Sequence, residues 1–354
     1  MLETLYNRAA SLARRMFPLV GLVAVQAAQV ANAAAPVQQT APRQLDIADY
    51  RAYLADDHPV RQGMRKFADE VAAASGGALQ VRVRTDALPG SPAQQLAALR
   101  AGSSAAPAFM LVAGTGLAPL VPEFTLLDLP FLVQDEAQAD GLLDGAFGTA
   151  LLGRLAPAGL VGLAWWENGF RQITSSRGPV RGQQDLAGLH LRVIGEPVFL
   201  DTFRAFGARP VPLPFGELHA ALRAGRVDAQ DNFISQILAG RLYEVQSSLS
   251  LTNHSYSPLV VVANADAWRS LSAAQQQVVR AAALEAGRLQ RAAARAEAQA
   301  ARNELARRGL AVSTPPAAEL ARLRAVSAPL RERYFDQYGK ALRPLYQAAT
   351  GQAR

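Results

Sequence analysis

The chain has 354 residues, half of them hydrophobic and 18% charged, a length and composition that favour two packed domains and exclude disorder. It has no cysteine, which excludes disulfides, thiolate metal sites and cysteine nucleophiles. Its formal charge of +7 comes almost wholly from dispersed arginines, with Lys66 and Lys340 the only lysines. No basic cluster is interleaved with aromatics, so nucleic-acid binding is not expected.

Residues 1–35 read as an export signal. Arg8, Arg14 and Arg15 form a positive head, an apolar stretch follows Met16, and Ala31-Asn32-Ala33 and Ala33-Ala34-Ala35 offer small-residue cleavage sites. Arg14-Arg15-Met16-Phe17 partly matches a twin-arginine signal. The apolar stretch, interrupted by Gln26 and Gln29, is shorter than the ~20 residues a membrane span needs. The mature chain is therefore expected to lie in the periplasm, after a flexible leader at 36–44.

Strand and helix patterns then alternate. Helices are predicted at 60–74, 94–100, 136–143, 198–206 and 217–224, and strands at 79–85, 108–113, 160–166, 189–194, 210–213 and 259–263. This order predicts α/β lobes with largely parallel sheets. The run Gln95-Leu96-Ala97-Ala98-Leu99-Arg100-Ala101-Gly102 is echoed by Glu217-Leu218-His219-Ala220-Ala221-Leu222-Arg223-Ala224-Gly225. Each reads as a helix stopped by a glycine and followed by a strand, as two lobes built alike would require; chance similarity in an alanine-rich chain is the alternative. From Ala273 to Arg308 the composition is strongly helical, Pro315-Pro316 breaks it, and a second helical stretch is predicted over 317–347.

No catalytic motif is found. There is no G-x-x-x-x-G-K-[ST], H-E-x-x-H or G-x-S-x-G, and the four histidines lack metal-ligand spacing. No enzymatic activity, cofactor or metal is expected. Arg192, set among Leu189, Leu191, Val193 and Ile194, is the residue that calls for a chemical explanation. A guanidinium among apolar neighbours must meet solvent, a carboxylate or a ligand, and its planar fork suits a carboxylate. Arg171 has the same character more weakly.

Several motifs occur in order: Asp128-Leu129-Pro130-Phe131-Leu132, Trp166-Glu167-Asn168-Gly169-Phe170-Arg171-Gln172, Asp185 to Val193, Pro212-Leu213-Pro214-Phe215-Gly216-Glu217-Leu218, Ala221 to Asn232, and Thr252-Asn253-His254. Over residues 58–346 the chain resembles the DctP-type solute-binding proteins of tripartite ATP-independent periplasmic (TRAP) transporters. The resemblance implies a two-lobed periplasmic-binding-protein fold with an interlobe ligand cleft and long C-terminal helices bracing both lobes. The lobes would comprise 43–165 plus 257–296, and 166–256 plus 297–350. It implies that Arg192 grips a substrate carboxylate, assisted by Arg171 and Asn232, with Phe215 as a pocket wall. Phe170 and Trp166 either line the cleft or pack in the core. The partners implied are a small carboxylate and the TRAP membrane permease, with the binding protein monomeric; the alternative is a binding protein that feeds a sensor kinase or another transporter class. The sequence departs from the family pattern after Gly102, at Ala113 and at His219, while Tyr53 sits near a variable contact. The first lobe therefore offers fewer polar contacts than the second, and the ligand's identity stays open.

Overall fold

The computed structural model describes residues 41–51 and 54–351. The expected export signal and Tyr53 lie outside them. Among the described residues nine strands form one sheet: β1 (Arg43–Asp49), β2 (Leu79–Val83), β3 (Phe109–Ala113), β4 (Leu160–Ser175), β5 (His190–Val193), β6 (Arg209–Pro212), β7 (Ala229–Phe233), β8 (Ser248–Asn264) and β9 (Ala311–Ser313). Their order is β2-β1-β3-β8-β4-β7-β5-β6, with β9 beside β8. The sheet is a duplication. β1, β2 and β3 alternate with the helices Pro59–Ala74 and Pro92–Arg100 and pair in parallel in the order 2-1-3. β5, β6 and β7 alternate with Pro197–Ala205 and Phe215–Arg223 and pair in parallel in the equivalent order.

The echoed glycines occupy equivalent places in the two units. Gly102 and Gly225 both have φ above +60°, a left-handed conformation open to glycine because it has no Cβ. Each ends the helix that feeds the third strand of its unit. The expectation of parallel strands therefore holds within the units but not between them. Two long strands join the units in antiparallel fashion: the last part of β8 pairs with β3 and the first part of β4, while the last part of β4 pairs with β7 and the first part of β8.

The sequence reading saw only the apolar ends of these two strands, at 160–166 and 259–263. The rest carries Glu167, Asn168, Gly169 and Thr252-Asn253-His254, which break alternation because the pair is bulged there. Register shifts fall at Glu167/Gly169 and Arg171/Ile173, and Gly169 and Asn253 have φ of 101° and 45°. A bulge inserts unpaired residues and bends the strand.

The helix Ala273–Arg307 begins with a Ser272/Gln275 capping box and, at 1.5 Å per residue, is about 52 Å long. Its buried positions Val279, Ala282, Ala283, Ala286, Gly287 and Gln290 recur at helical spacing. It packs on Pro59–Ala74 of the first unit and on Ile234–Ala239 and β9 on the side of the second. The predicted helix at 317–347 is instead three: Ala317–Val326, Ala328–Tyr338 and Arg343–Thr350. Pro329 and Pro344 stand in the first turns of the second and third, where their missing N–H costs no hydrogen bond. The expected leader at 36–44 is also shortened, because β1 already begins at Arg43. Among the described residues no helix is long and apolar enough to cross a membrane.

Candidate carboxylate-binding site

A cavity of about 520 Å³ opens where the parallel strands of the two units end. Tyr50 and Arg51 follow β1, Ile194 and Gly195 follow β5, Leu213 to Phe215 follow β6, and Asn232 and Phe233 close β7. Ligands of open α/β sheets gather at the carboxyl ends of strands, where connections diverge and leave a crevice. Four of the six residues singled out in the sequence, Arg171, Arg192, Phe215 and Asn232, line this cavity together.

The cavity's arginines differ in how their charge is compensated. Arg171 is fully buried, and its Nε donates to Asp231 Oδ2 at 2.5 Å while Nη2 donates to the Asp231 carbonyl at 2.9 Å. The rings of Phe199 and Phe233 each lie 4.9 Å from its guanidinium carbon, a stacking that favours a planar cation. Burial opposes the Asp231 charge, but Arg171 and His254 outweigh it and hold the carboxyl well below the usual range. His254 lies in the β8 bulge, with Nε2 at 3.4 Å from Asp231 Oδ2 and Nδ1 at 2.8 Å from Thr252 Oγ1. Burial is also the main influence on His254 and pushes it toward the neutral form. The Thr252-Asn253-His254 motif thus fastens β8 to the Arg171–Asp231 pair.

Arg192 is equally buried, at 3% exposure, yet its Nε donates only to the Leu213 carbonyl, at 2.8 Å. Among the described residues no carboxylate lies within ion-pair distance of it. Burial lowers its pKa to about 10, with Asp231 pulling upward and Arg171 downward. The group stays charged at neutral pH and is held at a cost beside an open cavity.

The other two predicted residues lie elsewhere. Trp166 is fully buried among core residues, wedged against Gly63 and Gly287 of the two helices that cover this part of the sheet, and its Nε1 donates to the Ala283 carbonyl at 3.1 Å. It lines neither this cavity nor its neighbour. Strand alternation explains the placement, since β4 turns Trp166 toward the helices. Phe170 packs edge-on against Tyr256 at 5.1 Å and lines an adjacent cavity of about 330 Å³ between β4 and the long helix.

Arg51 was missed by the sequence reading, and it borders both cavities. Asp49 holds it through Nε at 2.8 Å and Nη2 at 3.0 Å, and Nη1 donates to Asn168 Oδ1 at 3.0 Å. The signal was available but short: Asp49-Tyr50-Arg51 ends a stretch in which Leu45 and Ile47 alternate with Gln44 and Asp46. Nor do the remaining histidines assemble a centre. His58 caps a helix, and His190 and His219 lie beside Asp228 and Glu244. Among the described residues no group of acids and histidines is arranged to hold a metal.

Comparison with known proteins agrees with this architecture. Residues 51–337 match the DctP family model, described as bacterial extracellular solute-binding protein, family 7. The chain is 39% identical over 228 residues to the 2,3-diketo-L-gulonate-binding periplasmic protein of Escherichia coli K12, covering 64% of this chain and 68% of that protein. A crystal structure of a TRAP periplasmic solute binding protein from Ochrobactrum anthropi is 35% identical with a TM-score of 0.82, over 88% of this chain and 95% of that one. The sugar acid binding protein of Advenella mimigardefordensis, solved with galactonate, is also 35% identical, with a TM-score of 0.77 over 88% and 99%.

Proposed function

The chain belongs to the DctP family of bacterial extracellular solute-binding proteins, and from that membership we propose that it captures a small organic acid in the periplasm and delivers it to a TRAP membrane permease. Family members are binding proteins of transport systems, and this chain's work is recognition and release. The observation that carries the reading is Arg192: a buried cation, without a carboxylate partner among the described residues, facing a cavity large enough for a small acid.

In this reading the acid's carboxylate pairs with the Arg192 fork. Arg171, held by Asp231, contributes donors and field, Asn232 supplies a neutral polar contact, and Phe215 forms the apolar wall. The lobes, 43–165 plus 257–296 and 166–256 plus 297–350, close around the acid by bending β4 and β8 at their bulges. Closure removes water from the ion pair and strengthens it, so the ligand draws the protein toward the closed state. The closed, monomeric protein then docks on the permease. Residues 1–35 serve as the export signal.

The test is a thermal-shift screen of the chain lacking residues 1–35 against organic acids and their neutral analogues. A ligand at about 100 times its Kd adds ~2.7 kcal/mol of apparent stability. Stabilisation by an acid, absent for its amide and abolished in Arg192→Met, is the expected result. An acid that stabilises wild type and Arg192→Met equally would remove Arg192 from the site.

A further inference from the structure

We infer that the cavity of about 330 Å³ between β4 and the long helix is a second ligand site, built for a small zwitterion with the ammonium and carboxylate of a free amino acid. It is distinct from the carboxylate cavity because the two lie on opposite faces of β4. Arg171 lines the one, while its neighbours Phe170 and Gln172 line the other. Arg51, Phe233 and Gln236 border both cavities as a shared wall. The long helix makes the space. Gln290, Ala294, Ala298 and Arg302 recur every four residues along the side that lines the cavity, and the two alanines between longer side chains leave room for a guest. Phe170, Ile234 and Leu251 add apolar wall.

The charges of the lining define the guest's chemistry. Among the described residues Arg51, Arg295 and Arg302 are set against Glu136, Glu167 and Glu297, a balanced set, and burial holds His58 neutral by lowering its pKa to about 4. A guest with a net charge meets no opposite field there. Arg51 is paired with Asp49 and Glu167 with Arg295. Glu136 is exposed in the first turn of its helix, where the helix N-terminus favours an acid. Glu297 and Arg302 are different. Both are half-buried, and neither side chain has a hydrogen bond or ion pair among the described residues. Burial raises the Glu297 pKa, Asp57 adds to the rise and Arg51 opposes it, as expected of a carboxylate without a close cation. Along the helix axis the two residues stand about 7.5 Å apart. A contact of about 2.8 Å at each end leaves a gap that the ammonium and carboxylate of one amino acid bridge. Glu297 takes the ammonium and Arg302 the carboxylate, so one guest supplies both missing partners at once.

The experiment is calorimetric titration of the purified protein with glycine, L-alanine, L-serine and β-alanine, with ethylamine and propionate as single-charge controls. At least one amino acid should bind, about tenfold or more tighter than either control. Glu297→Gln and Arg302→Gln should each weaken that amino acid by about tenfold and leave far-UV circular dichroism unchanged. Ala298→Leu fills the space and should abolish binding, which decides the matter if a glutamine variant fails to fold. Arg192→Met, in the carboxylate cavity, should leave the amino acid's Kd as it is. Binding that survives Glu297→Gln and Arg302→Gln but is lost in Arg192→Met would place the amino acid in the carboxylate cavity and overturn the inference. A control that binds as tightly as the amino acids, or no binding by any of the four, overturns it too. None of these results bears on the capture of an organic acid by Arg192, which the thermal-shift screen tests separately.

Discussion

Replacing Arg192 by methionine should separate the stability of the protein from its function. The guanidinium is buried, and burial lowers its pKa from the ordinary guanidinium value to about 10. That drop corresponds to roughly 3 kcal/mol of penalty on the charged form at neutral pH. Because the folded value lies below the unfolded one, the penalty applies at every pH below about 10 and fades only above it. Methionine fills the same channel without charge and removes the penalty, but it leaves the Leu213 carbonyl without its donor, at a cost of about 1–3 kcal/mol. The unliganded variant should therefore be as stable as wild type or more stable by up to about 2 kcal/mol, melting at the same temperature or a few degrees higher. Binding should collapse: losing one member of a desolvated charge pair costs ~2–5 kcal/mol, a rise in Kd of about 30- to 5,000-fold. Calorimetric melting without ligand and titration with the best acid read the two effects independently. A variant clearly less stable than wild type would show that Arg192 is a structural residue, and one with unchanged Kd would show that the acid is held elsewhere.

Three further substitutions probe the frame around the site. Asp128 is fully buried, accepts from Ser257 Oγ at 2.7 Å, and is pushed by burial up to about 7. Its folded value exceeds the unfolded 3.8, so the native state holds the proton more tightly and stability falls as pH rises from about 4 to about 7. Asp128→Asn should flatten urea stability across that window, by an amount on the order of 4 kcal/mol; an unchanged profile would mean the carboxyl is ionised throughout. Asp231→Asn strands the Arg171 charge among Phe199, Phe233 and His254 and should cost about 3–5 kcal/mol in urea melts, whereas a loss under about 1 kcal/mol would show that the rings alone support the cation. Trp166→Ala should cost ~3–5 kcal/mol through the cavity it opens between two helices, yet leave the Kd for the best acid unchanged within the folded population. A large change in Kd would return Trp166 to the cleft.

What could be read from the sequence was set by local chemistry. The predicted helices with apolar spacing or glycine stops were placed within a few residues, because those signals act within one turn. The duplication was visible in one repeated helix because it carries the same glycine at the same place in both units. Strands β1, β7 and β9 were missed: the alternation in β1 is only two apolar residues long, Gln230, Asp231 and Asn232 interrupt the apolar pattern in β7, and β9 has three residues. Asp231 and Asn232 stand near the end of β7 at the cavity, so in this strand the signal failed beside the candidate site. Arg192 and Arg171 were found as cations among apolar residues, but the sequence could not tell them apart. Their difference lies in Asp231, sixty positions from Arg171, and only the pairing of β4 with β7 brings the two together.

The hinge follows from the same polar interruptions. A continuous antiparallel pair such as β4 and β8 would make the two units one stiff body, because every residue of such a ladder is fixed by its partners. The bulges at Glu167–Gly169 and Arg171–Ile173 release that constraint, and each released group is then taken up from outside the ladder. Gln290 of the long helix returns both hydrogen bonds to the Glu167 backbone, each at 2.8 Å. Gln172 receives the Asn253 N–H at 3.0 Å and donates to the Asn253 side chain at 2.5 Å. Arg295 then binds Glu167 and Asp140, both at 2.7 Å, and Tyr256 binds Glu167 at 3.1 Å. Side-chain bonds of this kind can turn or exchange partners through small rotations, which a backbone ladder cannot do without breaking. The strands that carry Arg171, and the bulge that delivers His254 to Asp231, can therefore bend while the arginine pair stays assembled. A carboxylate held by Arg192 in the second unit would act on this joint from the cavity that both units line. The free energy of closure then depends on whether the ligand also reaches the first unit's wall at Tyr50 and Arg51, so chain length at constant charge should matter.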